Sequence, residues 1–130
     1  MDRSKVYYLA SPFSTPGKGR MDYELLKEER HHTVEYVAMQ LYELGFVLVE
    51  PIASSYYKSI HFNAPGNYEY WKVRDRKLIE ACDALMVCLM PGWDESVGVT
   101  DEIEYAKSLG KGIFYITLKQ NDKILGIGPA

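Results

Sequence analysis

Cysteine is scarce in this chain, which has two, Cys82 and Cys88, among 130 residues. Their spacing matches no metal-binding or redox motif, so we expect both to be reduced thiols in a hydrophobic core. Long apolar runs are absent as well, and the first ten residues lack the apolar segment of a signal peptide. These absences favour a cytoplasmic protein that has no membrane partner.

Basic residues are too few and too scattered for a nucleic-acid-binding surface. The net charge is −3, and no block of lysine and arginine occurs. This argues against a nucleic-acid polymer as partner, although a local phosphate site stays possible. Hydrophobic residues make up 47% of the chain and charged residues 25%, which is the balance of an ordinary globular protein. We therefore predict one domain over 1–130.

Several common catalytic signatures are also missing. No G-x-G-x-x-G follows the first predicted strand, and neither a P-loop nor a G-x-S-x-G segment occurs. His31 and His32 are adjacent on a predicted helix, so their side chains point in different directions and are poor joint metal ligands. The sequence therefore predicts neither a metal ion nor a cofactor.

Short apolar and aromatic segments predict the strands of one sheet, at 5–10, 46–50, 84–90 and 112–117, with a short fifth strand after a turn at 121–122. Helical spacing predicts helices at 22–44, at 71–81 and after Ser96. Residues 52–70 lack a clear period and are predicted as a loop with at most one helical turn. This order predicts a single-domain α/β fold, a parallel sheet of four to five strands with helices on both faces, flavodoxin-like or Rossmann-like.

One glutamate on the helix after Ser96 lies where a surface residue is not expected. At about 100° per residue, Glu102 falls on the flank of the stripe formed by Val99, Ile103 and Ala106, away from the exposed face. In open α/β sheets, ligands bind just past the carboxyl ends of the strands. Glu102 is therefore predicted at the mouth of a pocket, the alternative being a half-exposed surface glutamate.

A second carboxylate, Asp75, lies on the helix that precedes the central strand. Two carboxylates beside a sugar ring can cleave a glycosidic bond, one as nucleophile and one as proton carrier. Asp75 could instead pair with Arg74 or Arg76 at the surface. Spacing alone leaves both alternatives open.

Three short segments carry a family resemblance. VYYLAS at 6–11, then Asp75, then SVGVTDE at 96–102 followed by Ala106, resemble the nucleoside 2-deoxyribosyltransferase superfamily, which includes the 2′-deoxynucleoside 5′-monophosphate N-hydrolases. The segment PGWDESVGV also resembles an uncharacterised phage and bacterial family placed in that superfamily. The resemblance implies a homo-oligomer, without a cofactor, that cleaves or transfers the N-glycosidic bond of a 2′-deoxynucleoside 5′-monophosphate.

The resemblance also implies roles for three residues. Glu102 matches the nucleophile that forms a covalent glycosyl intermediate. Asp75 matches the aspartate that assists departure of the base or holds the sugar. Tyr7 matches the strand-one tyrosine whose hydroxyl orients the glutamate, although it could simply be a strand tyrosine.

The phosphate and the base would be bound by other matched positions. Ser96 stands where transferases of free nucleosides have an aspartate, and a serine at a helix N-terminus attracts a 5′-phosphate that an aspartate would repel. Ser11 matches a second phosphate-binding serine, and Gly98 leaves the first helical turn open to a ligand. Ser96 could also serve only as a helix cap.

One departure from the family pattern concerns positive charge. The arginine that the hydrolases have two positions after the first serine is Phe13 here, and Arg20, Lys18 or Arg30 could replace its charge. Trp93 could stack on the base or merely anchor its loop. The aromatic segment 56–71 could stack a base or form a dimer interface.

Three other functions remain open from the sequence. The protein could be a nucleoside 2-deoxyribosyltransferase acting on free nucleosides, or a nucleotide-binding module without catalysis. It could also be a structural or interaction domain that binds no nucleotide and uses the aromatic segment 56–71 as its interface. Ser96 favours the phosphorylated substrate.

Overall fold

The structure is a computed structural model that describes residues 1–13, 20–65 and 67–129, with residues 20–24 described by their backbone alone. Its elements in chain order are β1 (Val6–Ala10), α1 (Arg20–Glu43), β2 (Val47–Val49), α2 (Pro51–Phe62), α3 (Tyr68–Ala81), β3 (Ala84–Cys88), α4 (Val97–Ser108), β4 (Gly112–Leu118) and β5 (Ile124–Pro129). A short 3-10 turn, Trp93–Glu95, precedes α4.

The five strands form one sheet in the order β2-β1-β3-β4-β5. The first four strands are parallel, and Tyr8 of β1 lies between Val49 of β2 and Leu85 of β3. β5 runs antiparallel to β4 at the edge, after a turn in which Asp122 has a φ of 65°. The predicted single α/β domain is confirmed. β2 and β3 lie on opposite sides of β1, so the order of the strands reverses at β1. A crevice is therefore expected past the ends of β1 and β3.

The two faces of the sheet carry separate hydrophobic layers, because successive side chains of a strand point to opposite faces. Tyr7 and Leu9 pack with the buried side of α1, whereas Tyr8 and Ala10 pack with α3 and α4. Both cysteines are buried and free, Cys88 in the α1 layer and Cys82 in the other. The expected reduced core thiols are therefore confirmed.

Helix α2 corrects the loop predicted over 52–70. Pro51 lies at the start of α2, where its missing N–H costs no hydrogen bond. Asn63 ends the helix in a left-handed conformation with a φ of 55°, and its N–H donates to the Lys58 carbonyl. Asn67 then caps α3 by accepting the N–H of Tyr70 at 3.0 Å, so α3 begins three residues before the predicted 71.

The remaining predicted elements agree with the structure to within two residues at their ends. Among the described residues, no helix is both long enough and apolar enough to span a bilayer.

Candidate active site

A cavity of about 320 Å³ lies next to the residues that follow β1 and β3, with its walls on α2, α3 and α4. Pockets that bind small molecules commonly enclose about 300–1,000 Å³. Five of the predicted site residues line it together, namely Ser11, Asp75, Ser96, Gly98 and Glu102. The other lining residues are Phe13, Ile52, Ser55, Asn67, Tyr68, Glu69, Trp71 and Val97.

Glu102 is a buried carboxyl group, 5% exposed, on the first turns of α4. The alternative of a half-exposed surface glutamate is therefore wrong. Its Oε2 accepts a hydrogen bond from the hydroxyl of Tyr8. Burial raises the pKa of Glu102 well above its ordinary value, the negative charges of Asp75 and Asp101 raise it further, and the Tyr8 hydrogen bond lowers it.

The tyrosine that contacts Glu102 is Tyr8, and the prediction for Tyr7 is wrong. The Tyr7 ring lies in the α1 layer, and its hydroxyl donates to the backbone carbonyl of Asp2 at 2.7 Å. Because neighbouring residues of a strand point to opposite faces, only one of the two tyrosines can reach α4. The resemblance placed the role one residue too early.

Asp75 is 4% exposed. The sequence left open whether it is a site residue or the partner of an arginine, and in the structure it is both. It lines the cavity, and its Oδ1 accepts from Nε of Arg74 at 2.9 Å and pairs with Nη2 of Arg74 at 2.7 Å. Burial raises the pKa of Asp75, whereas Arg74 and the Tyr8 hydroxyl lower it. The suggested pairing with Arg76 is wrong, since Arg76 binds Asp101 at 2.6 Å.

Together these groups form a small buried acid pair. Two carboxyl groups that interact in a site of low dielectric resist ionising together, so over a range of pH the pair holds one proton. Burial also raises the pKa of Tyr8 well above its ordinary value, so Tyr8 remains a proton donor. Such a pair can supply one nucleophilic carboxylate and one proton carrier.

The N-terminus of α4 supplies hydrogen-bond donors at the same cavity. Ser96 caps the helix, because its Oγ accepts the N–H of Val99 at 3.2 Å, and its own hydroxyl proton remains available. The Oγ of Ser11 is buried and has no hydrogen-bond partner in the described part of the chain. A Cβ added at Gly98 would lie 3.0 Å from Cδ1 of Tyr68, so a side chain at this position would require the Tyr68 ring to shift.

Trp93 anchors its loop and does not line the cavity. Its ring packs edge-on against Tyr115 with a centroid distance of 6.0 Å. Tyr68 and Trp71 also line the cavity. The sequence pointed to the aromatic segment 56–71 that contains both residues, but to neither of them individually. The Nε1–H of Trp71 donates to the Pro65 carbonyl at 2.8 Å.

The predicted basic residues do not add a charge to the cavity within the described structure. The side chain of Arg20 and all of Lys18 lie outside the described residues. Arg30 is buried on α1, where it donates to the carbonyl of Pro91 at 3.4 Å, and it is not among the lining residues. Within 1–13, 20–65 and 67–129, no group of three or more His, Cys, Asp or Glu residues is placed to hold a metal ion.

A protein family matches most of the chain. The family described as Domain of unknown function (DUF1937) matches residues 5–118, a span that includes Tyr8, Asp75 and Glu102. No curated protein matches the chain at a significant level. The chain therefore belongs to the DUF1937 family.

Proposed function

We propose that this protein cleaves the N-glycosidic bond of a 2′-deoxynucleoside 5′-monophosphate through a covalent intermediate on Glu102. The observation that carries the proposal is the hydrogen bond from Tyr8 to a buried Glu102, beside Asp75, in one cavity. A surface carboxylate would have neither the burial nor the second acid beside it.

In the first step, the Glu102 carboxylate attacks C1′ of the deoxyribose. A C1′–O bond forms, the C1′–N bond breaks, and its electron pair goes to the base nitrogen, which takes a proton from Asp75. Tyr8 favours the ionised form of Glu102, because its hydroxyl donates to Oε2. The reactive form is the one in which Glu102 is ionised and the single proton of the acid pair lies on Asp75.

In the second step, water attacks C1′ and the bond between C1′ and Glu102 breaks. The electron pair of that bond returns to Glu102, and Asp75 takes the proton of the water. Both carboxyl groups thereby regain their starting state. A second base in place of water would give transfer, and its N–H proton would go to Asp75 in the same way.

The 5′-phosphate is proposed to lie at the N-terminus of α4. Ser96 and Ser11 supply hydroxyl groups there, and the free N–H groups of the first turn favour an anion. Among the described lining residues no lysine or arginine occurs, so hydroxyl and N–H groups would bind the phosphate.

The direct test is incubation with deoxynucleoside monophosphates and with deoxynucleosides, followed by chromatography for free base. We expect base release from the monophosphates, loss of that activity in Glu102→Ala, and full activity in Glu104→Ala, which removes an exposed glutamate of the same helix. Acid quenching during turnover should trap a deoxyribose phosphate adduct on Glu102, detectable by peptide mass spectrometry. Turnover that survives in Glu102→Ala would overturn the proposal.

The same assay separates the alternatives. Faster reaction of deoxynucleosides, with base exchange, would identify a transferase of free nucleosides. A thermal shift with nucleotides but no base release would identify a binding module, since a ligand stabilises only the fold that binds it.

The proposed working form is a cytoplasmic homo-oligomer. Large apolar side chains are exposed on α2, among them Tyr57, Ile60 and Phe62, which is 71% exposed. Light scattering coupled to size exclusion would give the subunit number, and a monomer at micromolar concentration would contradict this part of the proposal.

A further inference from the structure

We infer that Arg74 is a positioning residue that fixes Asp75 in the cavity, and that Ser55 of α2 in turn fixes Arg74. For its part in turnover this inference rests on the proposed function, whereas its contacts and its first test do not. None of the sequence patterns pointed to Ser55, and Arg74 entered only as a possible surface partner of Asp75.

The first step of the argument is the geometry at Asp75. Nε and Nη2 of Arg74 both contact Oδ1, at 2.9 Å and 2.7 Å. Both contacts go to the same oxygen of Asp75, and the Tyr8 hydroxyl is a further hydrogen-bond partner of this carboxyl group. A carboxyl group held by two bonds from a planar guanidinium has little rotational freedom.

The second step is what holds the guanidinium. Nη2 of Arg74 also donates to Oγ of Ser55 at 2.7 Å and to the Pro51 carbonyl at 3.3 Å, both on the first turns of α2. Ser55 is 2% exposed, and its own hydroxyl donates to the same carbonyl at 3.0 Å. On another side, the guanidinium carbon lies 4.3 Å from the centre of the Trp71 ring. Arg74 is therefore fixed from α2 as well as from its own helix.

The third step concerns the charges that face Asp75. Arg74 contributes the positive charge from α3, Tyr8 a hydroxyl group from β1, and Glu102 a second acid from α4. From α2 the facing group is the uncharged Ser55. The ionised form of Asp75 thus depends on a guanidinium whose position α2 sets. Ser55 also lines the cavity. Helix α2 therefore both forms a wall of the cavity and holds the arginine that positions Asp75.

A lysine cannot replace Arg74 in this role. An ammonium group is a point charge without the planar fork that reaches Asp75 and Ser55 together. Arg74→Lys therefore keeps the charge and tests the geometry, whereas Arg74→Met removes both.

The first test is a carbon NMR titration of the Asp75 carboxyl group, assigned with Asp75→Asn, in the full-length protein. We expect Arg74→Met to raise the pKa of Asp75 by about one to three units. Arg74→Lys and Ser55→Ala should raise it by less. Ser54→Ala is the matched control, because Ser54 lies next to Ser55 but accepts from Lys58 at 3.0 Å, and it should leave the titration unchanged.

An Asp75 titration that is the same in Arg74→Met and in the wild-type protein would overturn the inference. If Arg74→Met does not fold, the comparison of Ser55→Ala with Ser54→Ala decides, and equal titrations in these two variants would also overturn it. This test needs no turnover, so its outcome is independent of whether the proposed reaction occurs.

The second test measures base release against pH. Arg74→Lys should move the loss of activity at high pH to a higher pH, because Asp75 keeps its proton longer. Arg74→Met should lower kcat by about 100-fold, as expected for a catalytic group displaced by about 1 Å. A general structural defect would lower the rate without moving the pH profile, and that result would count against a positioning role.

Discussion

At the scale of single residues, the site places an acid where the fold would prefer a neutral group. Glu102 is buried on the inner flank of α4, and burial raises the pKa of its carboxyl group well above the ordinary 4.5. At neutral pH the unfolded chain ionises freely, whereas the folded chain ionises Glu102 only at a cost. The stability that the protonated form supplies is complete below about pH 4.5 and is lost as the pH rises through the pKa of the folded state.

Glu102→Gln should therefore stabilise the protein, and the gain should grow as the pH rises above about 4.5 toward the pKa of the folded state. Each pKa unit corresponds to about 1.4 kcal/mol, and a domain of this size gains about 4 °C in Tm per kcal/mol. Differential scanning calorimetry across this pH range measures the effect. Glu104→Gln, at an exposed position of the same helix, is the control and should show no such trend. A Glu102→Gln protein that is less stable than wild type at pH 8 would contradict this explanation.

Tyr8→Phe should lower kcat by about 100-fold, because it removes the hydroxyl group that stabilises the Glu102 carboxylate. It should also move the loss of activity at low pH to a higher pH, since the pKa of Glu102 rises without this donor. Tyr7→Phe is the matched control on the adjacent residue, whose hydroxyl binds Asp2 on the opposite face. Kinetics from pH 5 to pH 9 provide the check, and equal profiles for the two variants would contradict the assignment.

The sequence predicts Glu102 well and the tyrosine badly, for a physical reason. The side of a helix that a residue faces follows from its spacing to the apolar residues along the chain. In α4, Val99 and Ala106 mark the buried side. In β1, both tyrosines are apolar enough for the core, and alternation says only that they face opposite layers. Which layer contains α4 depends on how the chain crosses the sheet, and a strand does not encode that.

At the scale of elements, the start of α4 combines a cap with a binding surface. The Ser96 side chain satisfies the N–H of Val99, as the cap of a helix does, and it also lines the cavity. A residue with both duties can be tested by changing its charge while its capping ability is preserved. Aspartate and asparagine are both good N-caps.

Ser96→Asp should raise KM for a deoxynucleoside monophosphate at least about tenfold, because like charges about 5 Å apart repel by about 3 kcal/mol at an effective dielectric constant of about 20. Ser96→Asn preserves the cap without the charge and should change KM little. Neither variant should alter the Tm by more than the loss of one cap would. Steady-state kinetics with monophosphates and with deoxynucleosides measure the effect, and equal KM values in the two variants would argue against a phosphate at this position.

Helix α2 is the element that sequence reasoning missed. Its buried residues are Pro51 and Ser55, whereas its apolar residues Tyr57, Ile60 and Phe62 are exposed, so the apolar positions do not mark the buried side of the helix. What fixes its ends are Pro51 at the first position and Asn63 in a left-handed conformation, which sequence patterns equally associate with loops. The polar contacts of this helix, such as that of Ser55 with Arg74, leave little trace in a hydrophobic pattern.

At the scale of the whole molecule, one sheet separates two layers and β3 lies at its centre. Cys88 ends this strand and is fully buried, and burial raises the pKa of its thiol to about 12. A thiol in that position reacts only when the sheet opens. Cys82, at the end of α3, belongs to the opposite layer.

In Cys82→Ala, the remaining thiol of Cys88 should react with a disulfide reagent only through global unfolding. The free energy derived from the labelling rate should then equal the free energy of unfolding from urea denaturation. In the reciprocal Cys88→Ala variant, Cys82 should react at least as fast, because helix ends open locally. Labelling of Cys88 much faster than global unfolding would show that the two layers separate independently.

The overall fold is the part that the sequence predicts best. Apolar strands of five to seven residues that alternate with helices allow few arrangements, and right-handed crossovers reduce their number further. The direction of β5 is different, because Ile124–Pro129 contains two glycines and a proline and has little strand character of its own. Its antiparallel pairing follows from the tight turn at Asp122, which returns the chain beside β4.

The adjacent tyrosines of β1 have a consequence for how functions are transferred between related sequences. An offset of one position in an alignment does little harm in a loop or at the end of a helix. In a central strand it moves a hydroxyl group through the sheet, from the acid pair at Glu102 to a backbone carbonyl on the far side. For proteins built this way, the odd or even count along a strand is as informative as the residue type.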